Sequence, residues 1–189
     1  VNVGLLSPER LVTSLRGAQE AKQCADEGDL TVVLTNGCFD LVHPGHVRYL
    51  HKASKLGDLL FVGINDDDSI ARLKGEDRPV ISEFDRAYLV ASLDCVDLVF
   101  IFHTFDFLAP LELLKPNVYV KGGDYTIDTI VRPERNLCEK LGIKVEIMPG
   151  VANASASGLI DHIRSRKTRY TTTWPPVTPL WPKVKLPAS

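Results

Sequence analysis

Short apolar runs recur along this chain, and each is followed by a stretch in which apolar residues return at helical spacing. "TVVLT" (Thr31–Thr35) is the first run. After it Val47, Leu50, Ala53 and Leu56 share one helical face, and Gly57 stands where such a helix would stop. "LLFVGI" (Leu59–Ile64), "DLVFIF" (Asp97–Phe102), "NVYV" (Asn117–Val120) and "KVEIM" (Lys144–Met148) are further runs. "SEFDRAYLVASL" (Ser82–Leu93) reads as a helix capped by Ser82, and helical segments fit near 106–115 and 130–141. Upstream, residues 7–24 read as a first helix, with Ser7 as N-cap, Pro8 at the first position and Glu9 at the positive end. Strands apolar on both faces that alternate with helices predict an α/β fold, a five-stranded parallel sheet flanked by helices.

The polarity at the strand ends adds a location. The first four runs finish in Asn36, Asn65-Asp66, His103 and Lys121. Ligands of open α/β sheets bind outside the carboxyl ends of the strands, so polar groups gather where such a sheet keeps its site. The pattern divides the chain into an N-terminal helical segment (1–30), a main α/β domain (31–165) and a tail (166–189). The tail has no acidic residue, and "TTTWPPVTPLWPKVKLPAS" holds five of the 12 prolines and both tryptophans. That composition predicts extended backbone. It leaves open a disordered end or an arm that lays Trp174 and Trp181 on a partner.

Composition narrows the partners. Of the 189 residues 44% are hydrophobic and 24% charged, ordinary values for a globular domain that can bury a core. A net charge of −2 gives no general footprint for nucleic acid. The four cysteines form no C-x-x-C pair, which argues against a zinc knuckle or redox motif. No signal-peptide pattern and no apolar run of membrane-spanning length occurs, so the expected compartment is the cytoplasm, with no membrane partner.

The chemistry centres on "NGCFDLVHPGHVRYL" (Asn36–Leu50), with His43 and His46 three residues apart where a strand turns into a helix. Alone, such a pair suits a metal, a phosphate or a structural role. No third ligand accompanies it, which weakens the metal reading. Gly45 would let backbone approach a ligand, and the helix start would offer free N–H groups and a positive dipole end. Around the pair stand Asn36-Gly37, Asp40, "RLKG" with Arg72 and Lys74 in an expected loop, Arg86 on the next helix, and "VKGGDY" with Lys121 and Asp124. Cations, Gly-rich turns and carboxylates so placed suit phosphoryl transfer, in which catalysis is mostly positioning and charge neutralisation. Cys38, Cys95 and Cys138 read as packing residues, and His51, His103 and His162 show no partner in the sequence.

From about Thr31 to Ile163 the chain resembles the cytidylyltransferase-like nucleotidyltransferases with an H-x-G-H motif, through "NGCFDLVHPGHVRYL", "VGINDDDSIARLKG", "RPV" with a downstream "DR", and "VKGGDY". Within them it is most similar to the heptose 1-phosphate adenylyltransferases. The resemblance implies a Rossmann-like nucleotidylyltransferase fold, probed by ATP and a sugar phosphate. The implied reaction moves AMP from ATP to D-glycero-β-D-manno-heptose 1-phosphate, giving ADP-heptose and pyrophosphate. It assigns catalysis to His43, His46, Lys74 and Arg86, and the nucleotide to Asn36, Gly37, Phe39, Gly45, Lys121, Gly122, Ser155 and Ser157. Asp40 and Asp124 fall at acidic positions suited to orient Mg²⁺ or the acceptor; Asp66, read from its place at a strand end and the start of a helix, is a candidate substrate contact. Mg²⁺ is implied as carried with ATP, without fixed protein ligands and with Asp40 as a candidate contact. A homodimer and a separate sugar kinase are implied as partners. The family's Ser-Thr-Thr before its last helix is here Ser155-Ala156-Ser157, which bears on the acceptor and the rate. Two alternatives stay open: a cytidylyltransferase acting on glycerol 3-phosphate or a phospho-amino alcohol, and a nucleotide-binding regulatory subunit without turnover.

Overall fold

The computed structural model describes residues 11–123, 132–149 and 156–165. Six strands make one sheet: β1 (Val12–Ser14), β2 (Val32–Gly37), β3 (Leu59–Asn65), β4 (Leu98–Phe102), β5 (Val118–Gly123) and β6 (Lys144–Pro149). The order is β1-β4-β3-β2-β5-β6, and every pairing is parallel. The helices are α1 (Leu15–Glu27), α2 (Pro44–Ala53), α3 (Asp67–Lys74), α4 (Glu83–Ala91), α5 (Leu108–Leu114), α6 (Arg132–Leu141) and α7 (Ala156–Arg164). No described helix is long and apolar enough to cross a membrane.

Strand alternation sorts the core into two layers. Val33, Val62, Val99 and Val118 pack with Leu50 of α2 and Ala87 and Val90 of α4 on one face. Leu34, Phe61, Phe100 and Tyr119 pack with Ala18 of α1, Leu111 of α5 and Cys138 of α6 on the other. Both faces are covered, as the continuous apolar strands require.

The five expected strands are present, and a sixth was missed. Residues 12–14 form the edge strand β1, not helix, and the helix after it starts at Ser14, whose Oγ accepts from Gly17 N at 3.2 Å. The N-terminal segment is therefore built into the main sheet. Ser7 and Pro8 lie outside the described residues, as do Trp174, Trp181 and the rest of the tail. Ser82 caps α4 as expected, its Oγ accepting from Asp85 N at 3.3 Å.

The strand order reverses between β2 and β5, the topological switch point. There the ladder is short: β2 and β5 pair only from Val33–Val118 to Thr35–Val120. On either side pairing continues further, to Gly37–Ile64 in β2–β3 and to Gly123–Pro149 in β5–β6. The two halves of the sheet therefore part at their carboxyl ends. Tyr49 of α2 closes the last rung, its hydroxyl bonding Thr35 Oγ1 at 2.6 Å and donating to the Val120 carbonyl at 3.0 Å.

Candidate active site

The cleft at the switch point carries His43 and His46 on the β2 side. His43 is the N-cap of α2: its backbone is extended, and its Nδ1 accepts from Gly45 N at 3.1 Å. Since Nδ1 accepts, the proton of the neutral ring sits on Nε2, which becomes a donor. His46 stacks on His43 with ring centroids 3.8 Å apart, and Phe39 lies 5.0 Å from His46 on its other side. Phe39 has φ 48°, and a Cβ on Gly37 would sit 2.9 Å from its ring, so Gly37 is needed for this turn to fold over.

Both histidines have lowered pKa values. Burial lowers the pKa of His43. Burial, then the charges of His43 and Lys74, lower His46 to about 3, with a Leu41 backbone contact pulling weakly the other way. His46 Nδ1 is buried without a hydrogen-bond partner among the described residues.

The expectation of free N–H groups at this helix start fails. Pro44 has none, Gly45 N–H goes to His43 Nδ1, and the N–H groups of His46 and Val47 go to the His43 carbonyl at 2.9 and 3.4 Å. Gly45 thus keeps its N–H from a phosphate oxygen, and what α2 offers is its dipole and the imidazoles.

Lys74 is the last residue of α3, not a loop residue; it is exposed, and its charge is felt at His46. Arg86 departs most from expectation. It is fully buried. Its Nε donates to the Ile81 carbonyl at 3.0 Å and its Nη1 to the Cys38 carbonyl at 2.5 Å. Nη2 donates to the Asn65 carbonyl and to Asp67 Oδ1, both at 2.7 Å. The guanidinium ties the histidine loop to the ends of β3 and α4 and faces no open space for an acceptor phosphate. Asp40 is also engaged: Oδ1 accepts from Val80 N at 2.7 Å and Oδ2 pairs with Arg78. Asp66 caps α3 through Ser69 N at 2.8 Å and pairs with His103 Nδ1 at 3.2 Å. His51, likewise without a visible partner in the sequence, meets Asp94 at 3.3 Å.

On the β5 side, Lys121 and Tyr119 converge on Asn36. Asn36 Oδ1 lies 3.0 Å from Lys121 Nζ and 2.9 Å from Tyr119 Oη, an arrangement that turns the Asn36 amide NH₂ the other way. Glu134 of α6 joins them, 3.2 Å from Lys121 Nζ and 3.1 Å from Tyr119 Oη. Burial lowers the Lys121 pKa, and Glu134 opposes that. Gly122 packs under Tyr49, since a Cβ there would fall 2.4 Å from the ring. Ser157 is exposed in the first turn of α7; Ser155 and Asp124 lie outside the described residues.

The residues singled out in the sequence thus fall into two groups by their contacts. His43, His46, Phe39, Asn36 and Lys121 lie at or just beyond the carboxyl ends of β2 and β5, Lys74 ends α3, and together they mark the candidate site. Arg86, Asp40 and Asp66 build it. Arg78, Tyr119 and Glu134 were missed; Glu134 had a signal, an acid four residues before Cys138 on the apolar face of α6. A shallow depression of about 410 Å³ lies outside His43, lined by Val42, Pro44, Val47 and Arg48 as well.

Comparison with known proteins adds a family. The cytidylyltransferase-like family matches residues 34–177. The bifunctional protein HldE of Syntrophotalea carbinolica is 46% identical over 157 residues, 83% of this chain and 31% of that protein. HldE of Geobacter sulfurreducens is 50% identical over 132 residues, 70% of this chain and 26% of that protein. The chain thus spans about a third or less of the length of these relatives. A lipopolysaccharide core biosynthesis protein from Thermoplasma volcanium superposes with a TM-score of 0.54 at 33% identity, over 64% of this chain and 96% of that one. A pantoate-β-alanine ligase from Francisella tularensis, at TM-score 0.55 and 14% identity over 86% and 82%, shares the fold.

Proposed function

The chain belongs to the cytidylyltransferase-like family, and from that premise we propose that it transfers AMP from ATP to a sugar 1-phosphate, with D-glycero-β-D-manno-heptose 1-phosphate as acceptor. The observation that carries the reading is the capped, stacked histidine pair at the switch-point cleft. An acceptor phosphate oxygen attacks the α-phosphorus of ATP in line, the bond to the β-phosphate oxygen breaks, and pyrophosphate leaves. The acceptor is already anionic near neutral pH, so no strong base and no covalent enzyme intermediate is needed. The difficulty is the meeting of two anions. His43 Nε2–H and His46 supply oriented donors, and an incoming triphosphate raises their low pKa values by its own charge. Lys74 adds a cation from the end of α3, and the α2 dipole adds partial positive charge.

Magnesium would arrive with ATP. The described carboxylates nearest the histidines do not suit it as fixed ligands, because Asp40 and Asp66 already hold partners on both oxygens. The heptose acceptor is supported by the HldE relatives and by the lipopolysaccharide name of the Thermoplasma neighbour. A homodimer and a separate sugar kinase belong to the same reading. The test is pyrophosphate release with each nucleoside triphosphate paired with each acceptor phosphate. ATP with heptose 1-phosphate should give the highest kcat/KM. A preference for CTP with glycerol 3-phosphate or a phospho-amino alcohol would replace the reading, and binding of ATP without product under any acceptor would make the chain a regulatory subunit.

A further inference from the structure

We propose that Asp40 and Arg78 act as a positioning pair that fastens the α3–α4 connection to the histidine loop and thereby sets Lys74 beside His46. The inference rests on the adenylyl-transfer reading for its consequence and on geometry for its existence. Asp40 is buried completely, and the Arg78 side chain is 12% exposed. Both Asp40 oxygens look toward the connection, one to Arg78 and one to Val80 N–H at 2.7 Å. The backbone between Lys74 and Arg78 is folded tightly: Gly75 N–H donates to Ala71 at 2.9 Å, and Arg78 N–H donates back to Gly75 at 3.0 Å. Gly75 takes φ 102°, a conformation that L side chains rarely adopt. Displacing Arg78 therefore displaces the end of α3. At the far end of the connection, Arg86 holds Ile81 and the Cys38 carbonyl with one guanidinium.

This arrangement gives the lysine at the end of α3 a fixed address. Lys74 is exposed and its side chain is long, so its own packing does little to place it. Its charge is nevertheless felt at His46. The Asp40–Arg78 contact joins the two segments through opposite charges, four residues along the chain from Lys74. Asp40 then serves the reaction through Arg78 and Lys74, and not by touching a metal or the acceptor.

The discriminating experiment uses Asp40→Asn, Arg78→Gln and the double variant in the full chain. Each single change strands one buried charge; the double change removes both and leaves two amides in contact. We expect each single variant to lose kcat/KM for ATP by about tenfold or more. We expect trypsin to cut faster after Lys74 in both. The double variant should return to within about threefold of the parent in both readouts. Should a single variant not fold, the double variant decides alone, since it must fold, resist trypsin and turn over. Losses that simply add would overturn the pair and return Asp40 to direct contact with metal or acceptor. So would unchanged trypsin cleavage in a folded single variant. Absence of transfer by the parent chain with any substrate pair would overturn the enzyme reading instead, and the trypsin comparison would still decide the pair.

Discussion

His43 does two things that can be separated. Its Nδ1 caps α2 through Gly45 N–H, and that bond fixes the proton on Nε2, the atom assigned to a phosphoryl oxygen. His43→Ala removes cap, donor and ring. His43→Ser removes donor and ring but leaves an oxygen that can cap. The ring contact with His46 is lost in both and cancels between them. The cap is worth about 1 kcal/mol, which is about 2–4 °C in Tm for a chain of this size. The donor is worth about 3–4 kcal/mol in the transition state, or about 10²–10³ in kcat. Thermal melts should therefore rank parent, Ser, Ala, while pyrophosphate release should place Ser and Ala together, both at least about a hundredfold below the parent. Turnover by the Ser variant within a few-fold of the parent would make the imidazole a helix cap and nothing more. Equal melting of the two variants would remove the capping argument that fixes the tautomer.

Two further outcomes follow from burial. The unfolded chain protonates His46 below about pH 6.5, and the folded protein does so only near pH 3, so unfolding takes up a proton between those values and stability falls as pH drops through that window. The urea midpoint should fall more between pH 7.5 and 4.5 for the parent than for His46→Asn, and parallel losses would contradict the burial of that ring. Arg86→Ala should cost on the order of 3–5 kcal/mol in urea unfolding, because it strands the Asp67 partner and three carbonyls at once. A variant as stable as the parent that has lost only turnover would restore Arg86 to contact with substrate.

What the sequence disclosed and what it withheld divide along one line. "LLFVGI" and "DLVFIF" became β3 and β4 almost residue for residue, because a strand buried on both faces must be apolar throughout. Val12–Ser14 offered three residues of edge strand inside a helical spacing of Leu11, Leu15 and Ala18, too short a run to break that period. "RLKG" looked like a loop through its charges and glycine, yet those charges suit the last turn of a helix and Gly75 its end. Arg86 was visible as a cation; its partners are mostly carbonyls, which every residue carries and no sequence marks. Pairs such as Asp66 with His103 and Lys121 with Glu134 join separate elements, so only the folded sheet brings them together.

The parting of β2 from β5 after Thr35 and Val120 has one more consequence. A guest that enters there separates no backbone rungs, because none exist beyond that point, and the Tyr49 hydroxyl already seals the seam beneath it. What crosses the gap there is side chain, the Asn36–Lys121 contact at 3.0 Å, which can yield without unzipping a strand. Arrival should then be governed by encounter and alignment, with no slow gate in the sheet to wait for.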